Sequence, residues 1–194
     1  MDLITVDYHI GTGTLAPLHT IEAEYSFLGA DASLSEFYQG IAMRAAIICH
    51  ALNENMEILD EPLSPEEEVY AALHPQPDPL PITEQEACAV KMMDRVYQRG
   101  TKVQCECDAE DIFCISARNV DGTVATLIVY LATTDVSTPK RICLKSESLD
   151  KGCVNVFALD ADHTFELIPY ECDEVDLYLT LPPNSVFLVE GRIK

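Results

Sequence analysis

The second half of the chain consists of short runs rich in β-branched residues, and the spacing of these runs constrains the fold more than any other feature. Eight such runs follow Gly100, at residues 103–107, 112–117, 123–132, 140–144, 154–159, 164–169, 176–181 and 185–191. Between the second and third runs, Asp121-Gly122 supplies the positive φ angle that a tight hairpin needs. Eight short strands joined by turns predict an antiparallel β-sandwich.

The N-terminal part has different periodicities. Residues 3–10 alternate apolar and polar side chains and predict one strand. The Gly-Thr-Gly-Thr segment at residues 11–14 is expected to end that strand. Apolar residues then recur every three or four positions and predict a helix over residues 34–56, with Ser33 and Glu36 as its capping box.

A further helix is predicted directly before the strand-rich region. Thr83 and Glu86 have the spacing of a capping box and begin a helix over residues 84–98. Gly100 lies where a helix C-terminus favours a left-handed residue. The last turn of this helix contains two basic residues that suit the negative end of the helix dipole, Arg95 and Arg99.

The proline pattern predicts how these elements are divided. Ser-Pro-Glu-Glu is a helix start signal and predicts a short helix over residues 65–73. Prolines at alternate positions in residues 75–81 predict an extended connector or a domain boundary. We therefore expect an α+β protein with a strand-and-helix region at residues 1–82 and a helix leading into the β-sandwich at residues 83–194.

Composition excludes several classes of partner. The 194 residues are 48% apolar, which can supply a core, and they carry 33 acidic against 12 basic side chains, for a formal charge of −21. Binding to nucleic acid or to an anionic membrane depends on Lys and Arg, so neither partner is expected. The chain has no long apolar segment and no basic, apolar signal sequence at its start, so a soluble, cytoplasmic protein is predicted.

The cysteines are predicted to be reduced core residues for the most part. Eight of them are scattered between apolar neighbours, at positions 49, 88, 105, 107, 114, 143, 153 and 172. Cys105 and Cys107 form the one C-x-C pair, and in a strand both would face inward. A soft metal bound by this pair is the alternative, but no second ligand pair accompanies it, and neither a metal nor another cofactor is expected.

Four residues are candidates for ligand binding. Asp160 and Asp162 flank His163 in a turn between two predicted strands, where a carboxylate would raise the pKa of the imidazole or hold one tautomer. Asp side chains also bond to their own backbone in such turns, so a structural corner is the preferred interpretation. Asp7 is the fourth candidate, since it lies in the first predicted strand, where barrel enzymes place catalytic carboxylates. His50 is interpreted instead as a core or boundary residue of the first helix.

The sequence contains no complete reaction motif. It has no Walker lysine motif, no glycine-rich dinucleotide loop, no serine nucleophile elbow and no HExxH zinc motif. A single Gly-x-Gly at residues 11–13 is too short to predict a nucleotide loop.

Two segments of the sandwich region resemble a known family. The first reads VFALDADHTFEL over residues 156–167, and the second reads LYLTLPPNSVFLVE over residues 177–190. Together they resemble the end of family 39 glycoside hydrolases, the β-xylosidase-like enzymes, which have a similar Leu-Asp-x-Asp-His turn and a Leu-Pro-Pro-x-Ser-Val closing strand. Residues 89–100 resemble the helix leading into that sandwich, and residues 38–60 resemble the penultimate helix of the catalytic barrel.

The resemblance implies a sandwich without a working active site. Residues 3–8 would correspond to the barrel strand with the nucleophilic glutamate, and Asp7, shorter by one methylene, would lie near its position. The family's acid/base Asn-Glu-Pro has no counterpart, because the Asn-Glu-Asn at residues 53–55 lies late in a predicted helix. About six barrel strands are absent before Met1, so intrinsic glycosidase activity is not expected.

Two functional hypotheses follow. The favoured one is a non-catalytic module for packing, interaction or sensing of a neutral sugar; the alternative is part of a hydrolase, active only with an upstream barrel. The absence of Trp weighs against a sugar-stacking platform, although the eight Tyr could substitute. The first helix must bury its apolar face against the sandwich, another helix or a second copy, so a homodimer or a missing barrel domain is the expected partner; that face contains Phe37, Ile41, Ile48 and Leu52.

Overall fold

The computed structural model describes residues 4–14, 34–53, 83–107, 109–132, 138–145, 149–173 and 176–192. Its helices are α1 (Leu34–Asn53) and α2 (Glu84–Tyr97). Its strands are β1 (Ile4–Thr14), β2 (Thr101–Cys107), β3 (Ile112–Arg118), β4 (Thr123–Tyr130), β5 (Lys140–Lys145), β6 (Asn155–Leu159), β7 (Thr164–Leu167), β8 (Glu171–Cys172), β9 (Asp176–Leu181) and β10 (Ser185–Arg192). Every predicted strand is present, and β8 is an addition. The predicted helix over residues 65–73 lies outside the described residues.

The strands form one continuous sheet. Their order is β7-β6-β10-β4-β3-β2-β1-β5-β9-β8, and neighbours are antiparallel except β1 and β5, which are parallel. The buried side chains of β4, β6 and β10 share one core with those of β5 and β9, although β3, β2 and β1 separate the two groups in the order. The sheet therefore folds over on itself as a β-sandwich, which confirms the predicted α+β architecture.

Strand β4 shows why the layers pack as they do. Its sequence TVATLIVY is an almost continuous apolar run, which is typical of a strand that is buried on both faces. Leu127 and Val129 lie in the outer core beneath the helices, while Ile128 and Tyr130 lie in the inner core between the two halves of the sheet. The protein thus has three layers, with the helices covering one half of the sandwich.

The end predicted for the first strand was wrong. Residues 11–14 do not break the strand, because β1 continues to Thr14 and pairs Gly13 with Lys102 of β2. The pairing register shifts between His9 and Gly13, so the glycine-containing segment forms an irregularity within the strand. Glycine in a strand commonly marks a bulge of this kind, because it tolerates backbone angles that other residues avoid.

Helix α1 packs on the sheet mainly through small residues. Ala42, Ala45 and Ala46 are at most 2% exposed, which lets the helix backbone approach the sheet closely. Ile41 is also buried in the outer core, so this part of the predicted apolar face is covered by the sandwich itself. The interpretation of His50 as a core or boundary residue was wrong: it is exposed, since the buried stripe passes through the neighbouring Cys49.

Helix α2 begins at the predicted capping box. The Glu86 N–H donates to Thr83 Oγ1 at 3.2 Å, and the Thr83 N–H donates to Glu86 Oε2 at 3.0 Å. The helix ends at Tyr97, one residue earlier than predicted, and Gly100 has the expected positive φ, 82°. No helix in the described ranges is both long and apolar enough to cross a membrane.

We expect Thr83→Ala to lower the free energy of unfolding by about 1 kcal/mol, because one N-terminal N–H of α2 loses its acceptor. Thr83→Ser keeps that acceptor and should stay close to the wild type in urea denaturation. Equal losses in the Ala and Ser variants would contradict a capping role.

The same capping box should respond to pH. Burial alone would raise the pKa of Glu86, but its hydrogen bonds with Thr83 and the nearby Arg44 outweigh burial and lower it. A lowered folded-state pKa contributes stability above the unfolded pKa and loses it as pH falls through the folded value. The stability difference between wild type and Thr83→Ala should therefore shrink in acid.

Candidate functional site

The acidic-histidine turn connects β6 to β7 and is organised by one carboxylate. Asp160 Oδ1 accepts the backbone N–H groups of Asp162 at 2.9 Å and of His163 at 3.0 Å. The Asp160 N–H donates to the His163 carbonyl at 3.0 Å, which closes the turn. The Asp160 carboxylate thus acts as the hydrogen-bond acceptor for backbone N–H groups of its own loop. The preferred interpretation of this turn as a structural corner predicts such bonds.

The imidazole of His163 completes this turn. Its Nδ1 lies 2.9 Å from Asp160 Oδ1. Because that oxygen already accepts two backbone N–H groups, Nδ1 carries the proton and donates it. The other ring nitrogen, Nε2, takes no part in this contact. The His163 side chain is 36% exposed, so the imidazole is open to solvent while its orientation is held by Asp160.

Asp160 also connects the turn to the helical layer. The residue is 2% exposed, and its second oxygen, Oδ2, is buried without a hydrogen-bond partner. Tyr38 of α1, itself 7% exposed, has a raised pKa because of burial first, then because of the nearby charges of Asp160 and Asp162. The carboxylate is therefore close to Tyr38 in the N-terminal half of α1, whereas Asp162 is exposed.

Beside the turn, an aromatic pair packs against a basic residue of α2. Phe165 of β7 has a positive φ of 57° and stacks on Phe157 with ring centroids 5.0 Å apart. The Arg95 guanidinium lies 5.0 Å from the Phe165 centroid and 5.2 Å from the Phe157 centroid. A positive φ at a bulky residue is costly, and this packing offsets part of the cost.

One carboxylate of β10 binds two arginines, Arg95 of α2 and Arg99 just beyond the end of that helix. Glu190 Oε2 accepts from Arg95 at 2.7 Å and Oε1 accepts from Arg99 at 2.9 Å. Arg99 also donates to Thr123 Oγ1 at 3.2 Å. Arg95 lies in the last helical turn as predicted, whereas Arg99 follows the end of the helix at Tyr97. Their shared partner lies more than ninety residues away along the chain. No local sequence signal identifies that partner.

The structure separates Asp7 from the other candidates. Its backbone lies in β1, opposite Glu106 of β2 and Lys145 of β5. In the strand order, β10, β4, β3 and β2 lie between β1 and the turn-bearing β6. Three of the four predicted ligand-binding residues are thus adjacent in one turn, and the fourth is in another part of the sheet.

Neither Tyr130 nor Tyr178 offers a bare ring on which a sugar could stack. Tyr130 is 2% exposed in the inner core. The Tyr178 ring is covered by the Arg141 guanidinium, 5.0 Å from its centroid, and its hydroxyl donates to Asp173 Oδ2 at 2.9 Å. That hydrogen bond is the main cause that raises the pKa of Tyr178 to about 12.

Chemically, the turn can offer one oriented imidazole and one exposed carboxylate to a ligand. The imidazole is held by the buried Asp160 with the proton on Nδ1, so its Nε2 can accept a hydrogen bond from a hydroxyl group. Among the described residues, no group of three or more His, Cys, Asp or Glu side chains is arranged to hold a metal ion. Cys105 and Cys107 both belong to the inner core region, which agrees with the prediction that they face inward.

Comparisons with known proteins identify the fold. No protein-family model matches the chain, and no curated protein matches it in sequence. Among solved structures, a family 30 subfamily 8 xylanase from Clostridium acetobutylicum is similar with a TM-score of 0.56 and 10% identity, over 83% of this chain and 40% of the xylanase. A glucosidase from Croceicoccus marinus has a TM-score of 0.55 and 13% identity, over 85% of this chain and 44% of the glucosidase.

These likenesses show a shared fold. The chain spans less than half of the length of either enzyme, and it is similar to a part of glycoside hydrolase chains. The xylanase is from family 30, so the finer resemblance to family 39 stays a prediction.

Proposed function

We propose that this chain is a non-catalytic β-sandwich module, related to the C-terminal part of family 39 or similar glycoside hydrolases, that packs against a partner domain or a second copy. The observation that carries the proposal is the arrangement of the candidate carboxylates. Asp160 and Asp162 belong to the same turn, and Asp160 is buried and bound to His163. Hydrolysis of a glycosidic bond needs two carboxyl groups on opposite sides of the bond, and one turn cannot provide that geometry.

The surface of the helical layer supports a packing role. Met43 and Ile47 of α1 are 47% and 45% exposed, and Val90 of α2 is 57% exposed. The opposite faces of both helices are buried on the sheet, so these side chains point away from the sandwich. Met43 and Ile47 are four residues apart and so lie on the same face of α1, and neighbouring exposed apolar side chains of this kind are typical of a surface that another protein covers.

An assay of the purified chain tests the absence of catalysis. We expect no hydrolysis of an aryl β-xyloside or of xylobiose above the buffer rate. Turnover that Asp160→Asn abolishes would overturn the proposal, whereas Asp162→Asn serves as the matched exposed control.

The turn could still bind a sugar without hydrolysing it. His163 presents an oriented, solvent-open imidazole, and neutral sugars are suited to an acidic surface because they carry no repelling charge. A thermal-shift screen with xylose and xylobiose tests this sensing role. Stabilisation that is lost in His163→Ala would support binding at the turn, and no shift with any sugar would restrict the module to packing.

The alternative function is a hydrolase part that needs a barrel from elsewhere. It is favoured by the coverage of 40–44% of the two similar enzymes, whose remaining residues have no counterpart here. Mixing this chain with a family 39 barrel domain that lacks its own sandwich tests the alternative. Restored xyloside hydrolysis would support it, and light scattering of the chain alone would then distinguish a barrel partner from a homodimer.

A further inference from the structure

Two cysteines of the inner core lie unusually close together. The sulfur atoms of Cys105 in β2 and Cys114 in β3 are 3.0 Å apart. The two residues are 8% and 3% exposed and belong to the same core. They are therefore in contact within the packed interior, away from the surface turn described above.

The strand register places these cysteines opposite each other. Strands β2 and β3 pair Thr101 with Arg118 and Val103 with Ser116. The same antiparallel register, extended by two residues, sets Cys105 across from Cys114. This position lies beyond the last paired residues of the ladder, and the 3.0 Å between the sulfur atoms shows that the two side chains still meet there.

The pair lies just beyond the end of the β2–β3 ladder. The β2–β3 ladder ends after Val103, whereas the pairing of β2 with β1 on its other edge continues and includes Cys105 with Tyr8 and Cys107 with Val6. Strand β2 thus connects the half of the sandwich that contains β3 and β4 with the half that contains β1 and β5. A disulfide at this point would link β2 and β3 covalently beyond the end of their hydrogen-bond ladder, and so would link the two halves of the sandwich.

We propose that Cys105 and Cys114 are an oxidation site that forms a cross-strand disulfide in the presence of an oxidised small-molecule disulfide such as glutathione disulfide. The Cys105 thiolate attacks glutathione disulfide, which forms a mixed disulfide and releases one glutathione. The Cys114 thiolate then attacks the Cys105 sulfur, so the protein disulfide forms and the second glutathione leaves. Two protein thiols are oxidised, one glutathione disulfide is reduced, and the two protons pass to the released glutathiones.

The surroundings decide when this reaction occurs. The contact with Cys114 and burial raise the pKa of Cys105 well above its ordinary value, which disfavours the reactive thiolate in the closed core. The bond therefore forms during folding or after local opening, before the core excludes the oxidant. Cys153 and Cys172 are exposed and react without selectivity, so they are removed in the test.

The test is refolding under two redox conditions. The Cys153→Ser/Cys172→Ser chain is unfolded, refolded with excess glutathione disulfide or with dithiothreitol, alkylated and mapped by mass spectrometry. A glutamyl endopeptidase cuts after Glu106 and Glu110 and so separates Cys105, Cys107 and Cys114 into different peptides. We expect a linked Cys105–Cys114 peptide and a melting temperature about 5–10 °C above that of the reduced chain, since the bond closes a short loop of the unfolded state.

Matched variants distinguish this pair from the other buried cysteines. Cys114→Ala should lose both the linked peptide and the rise in melting temperature, while Cys88→Ala, which removes a buried thiol of α2, should keep both. If Cys114→Ala does not fold, the peptide map and melting difference of the parent chain decide the question. Alkylation of both thiols, a stable mixed disulfide with glutathione, or a Cys105–Cys107 link would overturn the proposal.

Discussion

Asp160→Ala should lower the free energy of unfolding by about 2–4 kcal/mol, because a single oxygen of this buried side chain accepts three hydrogen bonds in the β6–β7 turn. Two of these bonds come from backbone N–H groups and one from the His163 ring. Without the carboxylate these three donors lose their acceptor, and the hydrogen bond from the Asp160 N–H to the His163 carbonyl is the one that remains of those described above. Urea denaturation at neutral pH measures the loss.

Two further variants distinguish the hydrogen bonds of the turn from the negative charge of Asp160. Asp162→Ala is the matched control, since Asp162 is exposed and contributes its backbone N–H, so its loss should be within about 0.5 kcal/mol. Asp160→Asn keeps an acceptor oxygen and replaces the unpartnered Oδ2 by an amide, so it should cost less than Asp160→Ala. Equal losses for Asn and Ala would mean that the negative charge, rather than the turn, stabilises this corner.

Phe187→Ala is expected to have the largest effect, a loss of about 3–5 kcal/mol. Phe187 is 1% exposed in the inner core and lies on β10, between β4 and β6. Its removal leaves a cavity where the two halves of the sandwich meet, and the surrounding strands can close it only in part. Denaturation midpoints and slopes measure the change.

The exposed edge of the same sheet supplies the control. Leu167 of β7 is 62% exposed, so Leu167→Ala removes apolar atoms that already contact water and should change stability by less than about 0.5 kcal/mol. Similar losses at both positions would contradict the inner core as the main source of stability. A changed denaturation slope for Phe187→Ala would show that the variant no longer unfolds from the same native structure.

Local patterns predicted the elements well where each pattern was long enough. The strands β2 to β7, β9 and β10 follow runs of apolar and β-branched residues, and the capping box begins α2 where Thr83 and Glu86 indicated. Strand β8 escaped prediction because its two exposed residues, Glu171 and Cys172, are too few to show any alternation. The glycines of β1 predicted a break and form an irregularity, because pairing with β2 on both sides keeps the strand extended.

The candidate site was predictable only in its local part. The close spacing of Asp160 and His163 allowed a side chain to bond within one turn, and the structure contains those bonds. The pairing of Glu190 with Arg95 and the proximity of Tyr38 to Asp160 join residues that are distant along the chain. Side-chain type indicates that such residues need partners, but it does not indicate which partners they have.

The sequence by itself determined most of the elements, the capping of α2 and the turn at Asp160, since each depends on neighbours within a few residues. Only the tertiary structure decided that the sheet folds over, that small residues of α1 contact it, and that Cys105 lies against Cys114. These features depend on the strand order and register. Many orders are compatible with the same short runs, and the packing of both faces of β4 and β10 selects one of them.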